Sequence, residues 1–93
     1  MEYKQIEAFL AIVEQKNITK AAESLFVSQS ALSYRLKSLE AELDTILIVR
    51  RKGISNISLT LRGEEFLPIA REWMQVSDKI KAFRSSAEKL QLR

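Results

Sequence analysis

The chain has 93 residues, a length that allows one domain with a small core. Apolar residues make up 46% and charged residues 29%, with two glycines and one proline, which indicates an ordered, mainly helical protein. It contains neither cysteine nor histidine, which excludes disulfides, thiolate ligands and the commonest metal ligand and general base. The net charge of +3 alone indicates nucleic-acid binding only weakly. We expect no cofactor and no metal.

No apolar run approaches the roughly 18 residues of a membrane span, and no signal-peptide pattern opens the chain. We therefore expect a cytoplasmic protein with no membrane partner. An enzyme is a poor alternative, because no two candidate catalytic side chains stand at a suggestive spacing and a small helical chain offers little room for a pocket.

Two helices are predicted in the first quarter of the chain. Apolar residues recur at i, i+3, i+4 and i+7 in the first, which we expect from about Tyr3 to Gln15. Asn17 is well placed to cap a short second helix, from about Ile18 to Leu25. A tight connection follows, in which Ser28 is a strong candidate for the next N-cap.

The third predicted helix, about Gln29 to Leu43, has one apolar and one polar face. Two short helices joined by a tight turn describe a helix-turn-helix, which places the start of its second helix in the major groove of DNA. Gln29 could make a bidentate contact with adenine. The polar face consists of Gln29, Ser30, Ser33, Tyr34 and Lys37.

After Asp44 the pattern changes from helix to strand. Ile46–Val49 is rich in β-branched residues, and Ile57–Leu59 alternates as a returning strand. The segment between them begins with Arg50, Arg51 and Lys52 and continues with turn-forming residues. This pattern predicts a β-hairpin wing whose basic tip lies in the minor groove or on phosphates.

The last segment, from Thr60 to Arg93, is predicted to be helical almost throughout. Either the helix starts near Leu67 after a looser turn, or Thr60 caps it and Pro68 kinks it; we prefer the second. A seven-residue apolar repeat is typical of a helix packed along its length against another helix. The repeat predicts a dimer interface formed by Phe66, Ile69, Trp73, Val76, Ile80, Phe83, Ala87 and Leu90.

A helix of about 30 residues is roughly 45 Å long, more than a three-helix head can cover. Its bare apolar stripe would be unusual on a monomer, so we expect a second copy of the chain to cover it. Packing against a further domain is the alternative. A two-fold dimer presents two recognition helices and predicts an operator that is an interrupted palindrome.

The sequence resembles the N-terminal domain of LysR-type transcriptional regulators over about its first 65 residues. The residues that carry the resemblance are Phe9, Val13, Asn17 to Leu25, Val27 to Ser33, Leu36 to Glu40, Leu43, Leu47, Arg50, Leu59, Thr60, Gly63 and Glu64. Ser30 stands where the family most often has proline, and Asp44 stands where it usually has glycine, which implies backbone strain there if the conformation is left-handed.

The resemblance implies a mainly α fold, a winged helix-turn-helix of three helices and a two-stranded wing over residues 1–60. A linker helix over residues 61–93 would pair antiparallel with its mate. It also implies base contacts for Gln29 and Ser33, and an effector-binding domain after residue 93, absent from this chain, through which alone a small-molecule inducer would act.

We therefore predict a sequence-specific transcriptional regulator that binds double-stranded DNA as a homodimer. A protein-interaction module that uses only the apolar repeat is the main alternative, and RNA binding is a weaker one because Tyr34 is the only evident stacking residue. The predicted DNA-binding residues are Asn17, Thr19, Ser28, Gln29, Ser30, Ser33, Tyr34, Lys37, Arg50, Arg51 and Lys52.

Overall fold

The computed structural model describes residues 1–50 and 57–91, with side chains described through residue 87. Over these residues the chain forms three helices, a two-stranded sheet and a long fourth helix, as predicted. The elements are α1 (Tyr3–Gln15), α2 (Ile18–Ser24), α3 (Gln29–Leu43), β1 (Ile48–Arg50), β2 (Ile57–Leu59) and α4 (Leu61–Gln91).

The helix ends follow the capping chemistry of the sequence. The Asn17 side chain accepts a hydrogen bond from the Lys20 amide, and Ser28 accepts one from the Ala31 amide, so both predicted N-caps are confirmed. Asp44 ends α3 with φ of 52°, the left-handed conformation that glycine usually supplies. The strain expected at this departure from the family pattern is therefore present.

The core lies where α1 crosses α2, α3 and the start of α4. Small residues on α2 allow the close crossing, and three leucines of α3 pack against the same face of α1. Fully buried side chains come from all four helices and from the loop before β1. They include Ile6, Phe9, Ile12, Ala21, Leu32, Leu39, Leu47 and Ala70.

The two strands pair antiparallel, with Ile48 opposite Leu59 and Arg50 opposite Ile57. The first strand begins at Ile48 rather than at the predicted Ile46, so that boundary was wrong. The Ile46 carbonyl accepts a hydrogen bond from the Thr60 hydroxyl (2.6 Å) instead of joining the ladder. The predicted wing tip with Arg51 and Lys52 lies outside the described residues.

Thr60 caps α4, as the preferred interpretation expects, whereas the kink at Pro68 stays a prediction. Its hydroxyl accepts a hydrogen bond from the Gly63 amide (2.9 Å), and its carbonyl accepts one from the Glu64 amide (2.9 Å). The helix then runs unbroken through Pro68, so the alternative start near Leu67 is wrong. A Cβ atom at Gly63 would collide with the backbone oxygen of Leu47, so glycine is what lets α4 start directly against the loop before β1.

The first turns of α4 pack on α1. The ring centroids of Phe9 and Phe66 lie 5.4 Å apart, and those of Tyr3 and Trp73 lie 6.2 Å apart. The Lys81 ammonium sits 3.7 Å above the Tyr3 ring centroid. Phe66 and Trp73, both predicted to face a second copy, thus already bury part of their surface within the subunit.

Other apolar side chains of the predicted stripe on α4 are exposed to solvent. The exposed fractions are 57% for Ile69, 49% for Val76, 63% for Ile80 and 77% for Phe83. Ala87 is also exposed, while the Leu90 side chain lies outside the described residues. In the part of the chain that is described, no helix combines the length and apolar character needed to cross a bilayer.

Candidate nucleic-acid interface

The amino-terminal half of α3 presents its polar face to solvent. Ser28, Gln29, Ser30 and Lys37 are exposed, and Tyr34 is 72% exposed. Ser33 is half-buried at the edge of the same face. We call Ser28, Gln29, Ser30, Ser33, Tyr34 and Lys37 the recognition surface. Within residues 1–50 and 57–87, these side chains keep the exposure given above.

The first turn of α3 is electrostatically suited to a phosphate oxygen. A helix cannot satisfy its own first amides, and here Ser28 satisfies only that of Ala31 through its hydroxyl. The amides of Gln29 and Ser30 still point out of the helix end, where the helix dipole is positive. The first turn contains no acidic residue that would compete for them.

The start of α2 lies beside the start of α3. The Gln29 Nε2 atom donates a hydrogen bond to the Thr19 hydroxyl oxygen (2.8 Å), and both side chains are exposed. Asn17 is half-buried, and its side-chain oxygen is engaged in the α2 cap. The structure therefore brings Thr19 to the recognition surface and gives Asn17 a structural role at its edge.

The wing is joined to the recognition helix at its base. The Arg50 Nη2 atom donates a hydrogen bond to the Ser33 hydroxyl oxygen (3.1 Å), across 17 residues of sequence. A guanidinium carries five N–H donors, so most of its hydrogen-bonding capacity remains for another partner. Arg50 thereby extends the recognition surface toward the wing.

Glu40 connects α3 to the start of β1, a role that the sequence analysis missed. Its buried carboxylate accepts hydrogen bonds from the amides of Leu47 (2.7 Å) and Ile48 (3.3 Å). The available signal was its spacing, since it follows Leu36 by four residues and precedes Leu43 by three, on the buried side of α3.

No candidate site for catalysis or a metal emerges elsewhere in the described residues. They contain no group of three or more acidic residues that could hold a metal ion. An open, mostly apolar groove runs along α4, lined by Ile69, Glu72, Trp73, Val76, Ser77 and Ile80. It is a helix surface suited to another helix.

Comparison with known proteins identifies the family. The model of the family described as bacterial regulatory helix-turn-helix protein, lysR family, matches residues 3–64. The chain is 38% identical over 74 residues to the HTH-type transcriptional regulator HdfR of Escherichia coli O139:H28 (strain E24377A / ETEC). That alignment covers 80% of this chain and 26% of HdfR, so the chain spans about a quarter of its relative.

Two solved structures of DNA-binding domains with DNA share the fold. The CbnR domain in its DNA complex has a TM-score of 0.84 and 32% identity, over 95% of this chain and 99% of that one. The BenM domain bound to catB site 1 DNA has a TM-score of 0.82 and 30% identity, over 92% and 93%. The predicted winged helix-turn-helix is thus confirmed, and the relatives are regulators rather than enzymes. The chain belongs to the lysR family of bacterial regulatory helix-turn-helix proteins.

Proposed function

We propose that this chain is the DNA-binding part of a transcriptional regulator and reads operator bases with the recognition surface. The observation that carries the proposal is the exposed, polar and acid-free first turn of α3, opening at Gln29. Such a helix start suits both a phosphate oxygen and the base edges of the major groove. The CbnR and BenM domains that share this fold were solved with DNA.

Within this surface, the side chains divide into those that read bases and those that hold the backbone. Gln29 and Ser33 are assigned to base edges, with Ser30 and Tyr34 beside them. Ser28 and Lys37 are assigned to phosphates, which fix the register of the protein on the duplex. Asn17 and Thr19, at the start of α2, lie beside the recognition surface and approach the same DNA strand.

The wing supplies a second contact. Arg50 stands exposed at the end of β1 and is tied to Ser33, so a duplex that meets α3 also meets Arg50. We assign the following residues, Arg51 and Lys52, to phosphates or the minor groove. Replacing both with glutamine should lower the slope of log affinity against log salt by about 2 per subunit. An unaltered slope would remove the wing from the interface.

We further propose that α4 joins two copies into a dimer. Ile69, Val76 and Ile80 are exposed and line the groove beside Trp73, and the exposed Phe83 follows Ile80 by three residues. An antiparallel pair with its two-fold axis near Val76 sets Ile69 of one copy against Phe83 of the other. Two recognition helices related in this way call for an operator with two inverted half-sites.

The domain organisation follows from these assignments. Residues 1–60 contact DNA and residues 61–93 pair the subunits, although the first turns of α4 also pack on α1. We place any inducer-binding unit outside this chain, and the working location in the cytoplasm, where a bacterial chromosome lies. The inducer therefore plays no part in the tests below.

Selection of DNA from a random duplex pool tests the function directly. The wild-type chain should enrich an interrupted palindrome, and Gln29→Ala should lose about 1–3 kcal/mol of base discrimination per half-site. Gln15→Ala, an exposed glutamine at the far end of α1, is the matched control. Failure to enrich any motif would contradict the proposal. Equal losses on selected and random DNA would contradict a base-reading role for Gln29.

A mobility-shift titration with nonspecific duplex separates this function from its main rival. DNA binding through phosphates weakens steeply as salt rises. The absence of any salt-dependent shift would leave only the pairing of α4, a protein-interaction module without a DNA role.

A further inference from the structure

The side chain of Gln29 is held by a hydrogen bond within the subunit. Its Nε2 atom lies 2.8 Å from the hydroxyl oxygen of Thr19, ten residues earlier in the chain. Both residues are exposed, so this hydrogen bond forms where a duplex would meet α3. A free glutamine on a helix surface samples many rotamers, whereas this one is tied to a neighbouring helix.

Thr19 is itself firmly placed relative to Gln29. It is the second residue of α2, whose first turn is closed by the Asn17 cap on the Lys20 amide (2.9 Å). The connection between α2 and α3 is also fixed, since the Val27 amide donates to the Ala22 carbonyl (3.0 Å). The two hydrogen-bonded side chains therefore start from one rigid unit.

The hydrogen bond leaves a defined pattern on the Gln29 amide. The terminal amide carries two N–H donors and one carbonyl acceptor, and Thr19 takes one of the donors. One donor and the carbonyl acceptor of the amide remain for another partner. Adenine offers the complementary pair in the major groove, N7 as acceptor and the N6 amine as donor. Guanine offers two acceptors there, cytosine only a donor, and thymine an acceptor beside a methyl group.

We propose that Thr19 is a positioning residue that orients the Gln29 amide so that it selects adenine. The inference rests on the proposed function and adds a determinant of its base preference. Without the hydroxyl, the amide of Gln29 rotates and offers its N–H groups equally well to the acceptors of guanine. Thr19 thus acts on specificity through Gln29, without contacting a base.

The test compares three variants by selection from random duplexes, followed by affinity measurements on the selected sites. Gln29→Ala first identifies the base position that depends on Gln29. Thr19→Val, which keeps the shape and removes the hydroxyl, should reduce the adenine preference at that position by roughly 3- to 10-fold, which corresponds to fixing one freed side chain in the single orientation that adenine requires. Thr19→Ser, which restores a hydroxyl, should recover the preference.

Two further measurements exclude a merely structural effect. The melting temperature of Thr19→Val should equal that of the wild type, and its affinity for nonspecific duplex should fall by less than its affinity for the selected site; if this variant unfolds, Thr19→Ala replaces it. An unchanged adenine preference, a loss that Thr19→Ser does not recover, or an equal loss on all sequences would overturn the inference. A wild-type chain that enriches no motif would instead overturn the proposed function.

Discussion

The two halves of α4 share one seven-residue apolar pattern but have different surroundings. In the packed half, residues 61–77, Phe66 and Trp73 contact aromatic rings of α1, and Ala70 is fully buried. In the exposed half, residues 78–87, every described side chain is exposed, and Phe83 reaches 77%. Lys81, in the exposed half, still contacts α1, with its ammonium above the Tyr3 ring.

This difference shows that a heptad pattern identifies an apolar stripe without identifying what covers it. The head of the protein covers one edge of the stripe over the first turns of α4. The other edge, with Ile69, Val76 and Ile80, continues into the exposed half. Substitutions at the edge covered by α1 should therefore affect folding of the subunit, and those at the exposed edge and in the exposed half should affect association.

The largest effect is expected for Phe83→Asp on association. Burial of one such side chain contributes about 1.5–3 kcal/mol, and a two-fold dimer contains two, so we expect dimerisation to weaken by about 3–6 kcal/mol. Sedimentation velocity over a range of concentrations measures it. Ser85→Asp adds the same charge on the opposite side of the exposed half and is the control. A Phe83→Asp protein that remains as dimeric as the wild type would contradict the proposed interface.

Phe66→Ala should destabilise the subunit itself by about 2–4 kcal/mol, because Phe66 is partly buried against Phe9. Urea unfolding at concentrations below the dimerisation range measures this loss. Phe83→Ala, the same substitution in the exposed half, should leave the unfolding midpoint almost unchanged. Similar losses for the two variants would show that the halves do not differ in the way described.

Gly63→Ala tests how tightly the packed half begins. In an ordinary exposed helix this change is favourable by roughly 0.5–1 kcal/mol. Here the new Cβ atom meets the backbone of Leu47, so we expect a loss of about 1–3 kcal/mol instead. Arg62→Ala, one residue earlier and exposed, is the control for helix propensity. Thermal melting gives the sign, and a stabilised Gly63→Ala protein would refute the close approach.

The smallest effect is expected at Lys81, the residue of the exposed half that contacts α1. Lys81→Gln removes the charge above the Tyr3 ring and should cost about 0.5–1 kcal/mol, the usual range for an exposed cation–π contact. Lys79→Gln changes an exposed lysine two residues away and should cost less. Paired chemical denaturation curves resolve this difference, and identical midpoints would show that Lys81 adds nothing to the packing of α4 on α1.

Local chemistry made much of the recognition surface predictable. The Ser28 side chain can cap a helix from its own position, so the start of α3 and the outward direction of Gln29 followed from a few neighbouring residues. The conformation of Asp44 was raised by the family resemblance, because glycine usually stands at that position, and Asp44 is indeed left-handed. Helix ends depend on contacts three or four residues apart, which a sequence displays directly.

Contacts between distant residues were not predictable in this way. The hydrogen bonds of Glu40 to Leu47 and Ile48, of Gln29 to Thr19 and of Arg50 to Ser33 join elements whose relative placement the sequence does not state. The start of β1 was misplaced for this reason, because Thr60 and Glu40 hold the preceding backbone away from the ladder.

The sequence by itself determined the order and type of the elements, since apolar spacing and capping residues act over one or two turns of chain. It also placed a polar helix start where DNA could be read. Only the tertiary structure decided which part of the α4 stripe is covered by α1, which carboxylate is buried and which side chains meet at the recognition surface. These outcomes depend on how the helices cross, and a crossing is set by the packing of many side chains at once.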